Sequence, residues 1–187
     1  MNNIFDMNWI GVFFFMHGEN EYDYFSQLFI IDDKRYYSIW CQYDGSDESK
    51  KDKVMLEDNK VLTFTEKSDL IRYAERVGIT IIEDEEFRND IHVMKRFRYR
   101  RRKKDCIYLI NIWNMVSDIN YSLGRKTFAE CRNSDVDNIY DKMFYGLNLP
   151  AITPEGEEWL PTFTNREEKL INELYKCFLR TLRKYFC

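Results

Sequence analysis

The residues of this chain that could do acid–base, nucleophilic or metal chemistry are 32 carboxylates, two histidines and five cysteines. A metal site needs His, Cys or carboxylate groups that converge at ligand spacing. His17 and His92 stand alone, and Cys41, Cys106, Cys131, Cys177 and Cys187 are scattered with no Cys-x-x-Cys pair, so no metal site is expected. Neither histidine has a convincing nucleophile or orienting group near it, and each reads as a loop histidine. The 7 glycines fall mostly in turns and at helix ends, so no phosphate cradle and no cofactor site is implied. A hidden pair of acids of the glycosidase type would require a pocket with two close carboxyl groups of separated pKa. No spacing in the sequence selects such a pair, and no catalytic residue is singled out.

Charge is more informative than any single group. Residues 1–91 hold 10 Lys/Arg against 20 Asp/Glu, whereas residues 92–187 hold 18 against 12. The acidic half concentrates its charge at 44–52 (Asp-Gly-Ser-Asp-Glu-Ser-Lys-Lys-Asp) and at Glu83-Asp84-Glu85-Glu86. Such a surface steers association with a basic partner, or serves solubility alone. The opposite sign gathers in Lys95-Arg-Phe-Arg-Tyr-Arg-Arg-Arg-Lys-Lys104, where Phe97 and Tyr99 sit among the cations. That pattern matches a phosphate grip with base stacking, but in an acidic chain a solvated linker is the favoured reading and nucleic acid binding the lesser one.

These groups have to be carried by a scaffold, and 187 residues suffice for one domain with its own core. The organising element is Asp105–Gly124, where Leu109, Ile112, Trp113, Val116, Ile119 and Leu123 recur at helical spacing. Asp105 is placed to cap its start and Gly124 to end it, with Asn111, Asn114 and Asp118 on the opposite face. Before it lie strand signals: Trp9–Met16, Tyr24–Ile31, the turn Asp32-Asp33-Lys34, Arg35–Tyr43, Val54–Glu57, Val61–Thr65 and Ile79–Ile82. A helix over Glu66–Val77, capped by Thr65, interrupts them. After the central helix, Ser134 opens a second helix ending near Gly146, and Thr164-x-x-Glu167 is a capping box for a last one.

The expected class is α+β: an antiparallel sheet mainly from the N-terminal half, packed by helices mainly from the C-terminal half. All three prolines lie in the loop between the last two helices, where Leu147, Leu149, Ile152, Trp159, Leu160 and Phe163 are expected to pin it to the core. The odd cysteine count fits reduced thiols and a cytoplasmic protein. Trp9–Met16 is too short to span a bilayer and lacks a basic leader, so it reads as a buried strand.

From Asp105 onward the residues resemble immunity proteins of contact-dependent growth inhibition and related polymorphic toxin systems in bacteria. The likeness is carried by Ile112-Trp-Asn-Met-Val-Ser-Asp118, Ile139-Tyr-Asp-Lys-Met-Phe-Tyr-Gly-Leu-Asn-Leu-Pro150, Ile152-Thr-Pro-Glu-Gly-Glu157 and the closing helix. Val61–Phe64, Tyr73-Ala74 and Gly78-Ile79 also look similar, so about two-thirds of the chain is covered. The resemblance implies a non-enzymatic inhibitor that binds the C-terminal toxin domain, often a nuclease, of a large secreted protein. Charge and loop position, and not the shared motif, then select the residues expected to contact toxin. Asp44, Asp47, Glu48, Glu83, Asp84, Glu85 and Glu86 would supply charge, and Trp40 or Tyr43 an aromatic anchor.

Overall fold

The computed structural model describes residues 21–92, 103–125 and 134–186, and of 83–87 and 103 the backbone alone. The strand expected at Trp9–Met16, His17 and residues 95–102 of the basic run lie outside the described residues. The hairpin β1 (Tyr22–Ile31) and β2 (Lys34–Tyr43) is turned by Asp32 and Asp33, both at positive φ (50° and 63°). Two left-handed residues make the tight connection whose twist matches paired strands, and Asp tolerates that region better than most side chains. The ladder runs in full register from Tyr22↔Tyr43 to Ile31↔Lys34. Short strands β3 (Lys53–Val54), β4 (Leu56–Glu57) and β5 (Lys60–Val61) follow, with Asp58 and Asn59 turning β4 into β5.

Helix α1 (Lys67–Arg76) then leads to β6 (Ile81–Asp90). Sheet order is β3-β2-β1-β6, and β6 runs parallel to β1, so the sheet is mixed. The α+β class stands, but a last strand entering parallel is not encoded in its own residues. It follows from α1 carrying the chain back along the sheet before β6 begins. The capping expectation for α1 is corrected: Glu66 holds the N-cap position and no side chain caps the helix there.

Both faces of the sheet are covered. Phe25, Phe29, Ile31, Tyr36 and Trp40 face α2 (Lys103–Ser122), α3 (Ser134–Tyr145) and α4 (Asn165–Phe186). Leu28, Tyr37, Ile39 and Cys41 face Leu70 and Ala74 of α1. Rings do much of the packing on the thicker side: Phe29 lies 4.7 Å from Phe186, and Trp113 lies 5.5 Å from Phe178 and 5.3 Å from Tyr140. Seven aromatic side chains are buried among the described residues: Phe29, Tyr37, Trp40, Trp113, Phe178, Tyr185 and Phe186.

Helix α2 starts two residues before the expected cap, which leaves Asp105 inside its first turn. Its expected stripe is buried at Leu109, Ile112, Trp113, Val116 and Ile119, and the burial extends to Cys106, Ile110 and Met115. The polar line is no solvent face either. Asn114 accepts a 3.1 Å hydrogen bond from the Tyr140 hydroxyl, and Asp118 is largely enclosed. Cys106 meets the start of the 146–163 loop so closely that a Cβ on Gly146 would come within 2.8 Å of its sulfur.

The capping box of α4 forms as the sequence predicts. Thr164 donates N–H and hydroxyl to Glu167 Oε2 at 2.7 and 3.0 Å, and Glu167 N–H returns a 3.3 Å bond to Thr164 Oγ1. Lys142 of α3 reaches the other carboxylate oxygen at 2.7 Å, tying the two helices together. Thr164→Ala is therefore expected to destabilise the protein by about 1 kcal/mol, measured as a shift in the urea midpoint without a change in slope.

A candidate acidic docking surface

The loop between β2 and β3 is built on Tyr43. Its hydroxyl accepts the Asp47 N–H at 2.9 Å, and its own N–H donates to Asp52 Oδ1 at 2.9 Å, closing the loop at both ends. Gly45 is required where the chain folds over this ring, because a Cβ there would lie 2.2 Å from the hydroxyl oxygen. Asp47 accepts from the Ser49 N–H and hydroxyl at 2.9 and 2.6 Å, and these bonds hold its carboxyl below the usual range. Lys50 is drawn to Glu21 at 2.6 and 2.7 Å, and its ammonium also stands 5.8 Å from the centre of the Tyr43 ring. The side chains of Asp44 and Glu48 are exposed and make no bond or ion pair among the described residues. The loop is therefore preorganised, with its carboxylates presented outward.

Beneath it lies a second carboxylate pair that the sequence did not single out. Burial pushes the Asp118 carboxyl up to about 7, the Asp52 charge adds to that rise, and the neighbouring Trp40 indole partly opposes it. Asp52 is itself raised by burial against the lowering effect of the Tyr43 N–H. Ser122, one turn on from Asp118, accepts the Val54 N–H at 2.8 Å and donates to the Asp118 carbonyl at 2.7 Å. Helix α2 is thereby fastened to the base of the loop. The only sequence signal for this was the polar line Asn111, Asn114 and Asp118, which amphipathicity assigns to solvent.

The expected docking residues divide sharply. Tyr43 is half-buried, and Asp44, Asp47 and Glu48 are exposed on the loop. Trp40 is 5 % exposed, with its ring 5.6 Å from Phe25, and is corrected from surface anchor to core residue. Alternation placed Trp40 on one face of β2 but could not say that helices cover that face. Glu83, Asp84, Glu85 and Glu86 are not in a loop: they lie within β6. Pairing passes from Phe25↔Ile82 to Gln27↔Phe87, so four acidic residues stand opposite Ser26 alone and their backbone must bow out of the ladder.

That bulge and the loop lie on the same half of the sheet. Ser26 is four positions from Tyr22, the partner of Tyr43, and β6 is two strands from β2. At ordinary strand rise and spacing the separation is about 13 Å along and 10 Å across, or roughly 16 Å. One partner footprint of standard size, about 800 Å² a side, spans that distance.

Other chemistry is sparse. Burial pushes the Cys41 and Cys106 thiols up to about 11 and 12, which removes their thiolate character. His92 Nδ1 lies 3.3 Å from the Tyr175 hydroxyl, and the His92 backbone N–H donates to Asp90 at 3.0 Å. No group of three or more His, Cys, Asp or Glu side chains poised for a metal occurs among the described residues, and no described helix is long and apolar enough to cross a membrane. No protein-family model, no curated protein and no solved structure matches this chain.

Proposed function

We propose that the protein is a toxin-neutralising binding protein of the immunity class, acting from the cytoplasm on the C-terminal toxin domain of a contact-dependent growth inhibition or related system. The observation that carries this reading is the rigid acidic loop: Asp44, Asp47 and Glu48 project from a frame fixed by Tyr43, Asp52 and Gly45. Preorganised carboxylates bind basic surfaces without paying for loop ordering, and a nuclease presents such a surface where its substrate phosphates lie. The backbone of β6 over 83–86, where the sequence carries four further acidic residues, lies within reach of the same footprint. Tyr43 is the anchor of the loop itself, so its value to binding is positional.

Inhibition on this reading needs no catalysis. The Asp52–Asp118 pair serves the scaffold on this reading: Asp52 accepts the Tyr43 N–H where the loop closes, and Asp118 lies largely enclosed on α2. Co-expression with the toxic C-terminal domain of the neighbouring large reading frame tests the proposal through growth rescue and co-elution. Wild type is expected to rescue. The double reversal Asp44→Lys/Glu48→Lys, which breaks no side-chain bond among the described residues, is expected to weaken the complex about tenfold, mainly by slowing association. Unchanged killing with both proteins soluble would end the proposal.

A further inference from the structure

The second surface is on the loop that the sequence expected to be pinned flat. Leu147 is buried, and Leu149 and Phe163 pack against the core, but Ile152, Trp159 and Leu160 are 44 %, 40 % and 52 % exposed. Tyr145, at the end of α3, is 54 % exposed, and its ring meets that of Trp159 edge to face at 6.1 Å. The rings are held in place. Asn148, at φ 49°, accepts the Trp159 N–H at 2.6 Å and donates to the Trp159 carbonyl at 2.9 Å, so one side chain imitates a strand partner. A third Asn148 bond, donated to the Gly146 carbonyl at 3.1 Å, fixes the clamp to the helix end.

The same loop carries Glu155, Glu157 and Glu158 one to four residues before Trp159, all exposed and without an ion pair among the described residues. Two cations on the flanking helices are committed elsewhere. Lys142 pairs with Glu167 at 2.7 Å, and Arg166 pairs with Asp135 at 2.5 Å. An exposed Tyr–Trp pair costs little rotamer entropy on binding, and its π faces attract guanidinium groups that neighbouring carboxylates can also pair. An uncharged apolar partner would leave three carboxylates desolvated and unpaired, so the charge selects the occupant.

We propose that Tyr145, Trp159 and Glu155, Glu157 and Glu158 form a docking platform for an arginine-bearing segment of a partner protein, distinct from the acidic loop. Cys106 adjoins the platform at Gly146, and Ser122 adjoins the loop at Val54. Sixteen residues of helix α2 separate these points, a distance of about 24 Å. The platform is defined by this geometry and does not depend on the immunity reading.

The test follows the indole N–H resonances of the four tryptophans during titration with a nona-arginine peptide at low salt, with Trp159 assigned by Trp159→Phe. The Trp159 resonance is expected to move. Glu155→Gln/Glu157→Gln/Glu158→Gln should weaken that response about tenfold, whereas Asp44→Lys/Glu48→Lys should leave it in place. A stationary Trp159 while other resonances shift would overturn the proposal, as would an undiminished response in the triple variant. A response that emerges only after Arg100, Arg101 and Arg102 are replaced by Gln would give the platform to the chain's own basic run, and would overturn it too.

Discussion

Asp118→Asn is expected to stabilise the protein by several kcal/mol at pH 8 and by less than half as much at pH 5. The folded chain holds this carboxyl at about 7 against an ordinary value of 3.8, because burial and then the Asp52 charge disfavour ionisation more than Trp40 favours it. The unfolded chain takes up the same proton only near the ordinary value. Folding is therefore penalised above the folded pKa, and stability rises as pH falls from about 8 towards 5. A shift of this size corresponds to roughly 4 kcal/mol between pH values above the folded pKa and below the unfolded one, of which about 2–3 kcal/mol falls between pH 8 and pH 5. Asp52, also raised by burial, acts in the same direction. Carboxyls lowered in the fold, such as Asp32 bonded to Arg183 and Asp47 bonded to Ser49, act oppositely, but only at more acid pH. The amide of the variant would keep the size and polarity of the side chain while removing the buried charge. Urea unfolding of both proteins at pH 8 and pH 5.5 measures the difference directly. Equal stability of wild type at the two values would show that the pair is solvated and ionised throughout.

Phe178→Ala should be the most damaging core substitution, at about 3–5 kcal/mol. Phe178 is 0 % exposed and fills the space between α4 and α2 against the edge of Trp113, whose other side contacts Tyr140 of α3. Truncation there removes the ring through which α4 meets Trp113 of α2, itself in contact with Tyr140 of α3, and a close-packed interior relaxes only partly into such a void. For a chain of this length the melting temperature is expected to fall by roughly 10 °C or more. Phe178→Leu should recover most of the loss. If Phe178→Ala unfolded like wild type, the helical layer would have to be far looser than its ring contacts imply.

Several features of the surface were legible because they depend on near neighbours in sequence. Asp-Asp between two alternating apolar runs specified the β1–β2 turn, and Thr164-x-x-Glu167 specified the start of α4. The Asp44–Glu48 stretch was polar and Gly-containing with no periodicity, so its exposure followed directly. The acidic run at 83–86 was equally visible as charge, yet its place in β6 was not. A strand accepts such residues when the ladder lets them bow outward, and that depends on the partner strand.

The sequence by itself determined the α+β class, the helices and hairpin, the burial of the α2 stripe and the acidic loop that faces solvent. Those properties arise from local propensity and from apolar periodicity, which the chain carries wherever it goes. Tertiary structure alone decided that β6 enters parallel, that Trp40 belongs to the core and that Asp118 is enclosed with Asp52. It also left Ile152, Trp159 and Leu160 uncovered. In each case the deciding quantity was which surface another element covers, and that is set by segments distant in the chain. Periodicity can assign a side chain to a face, but only packing decides whether that face meets water.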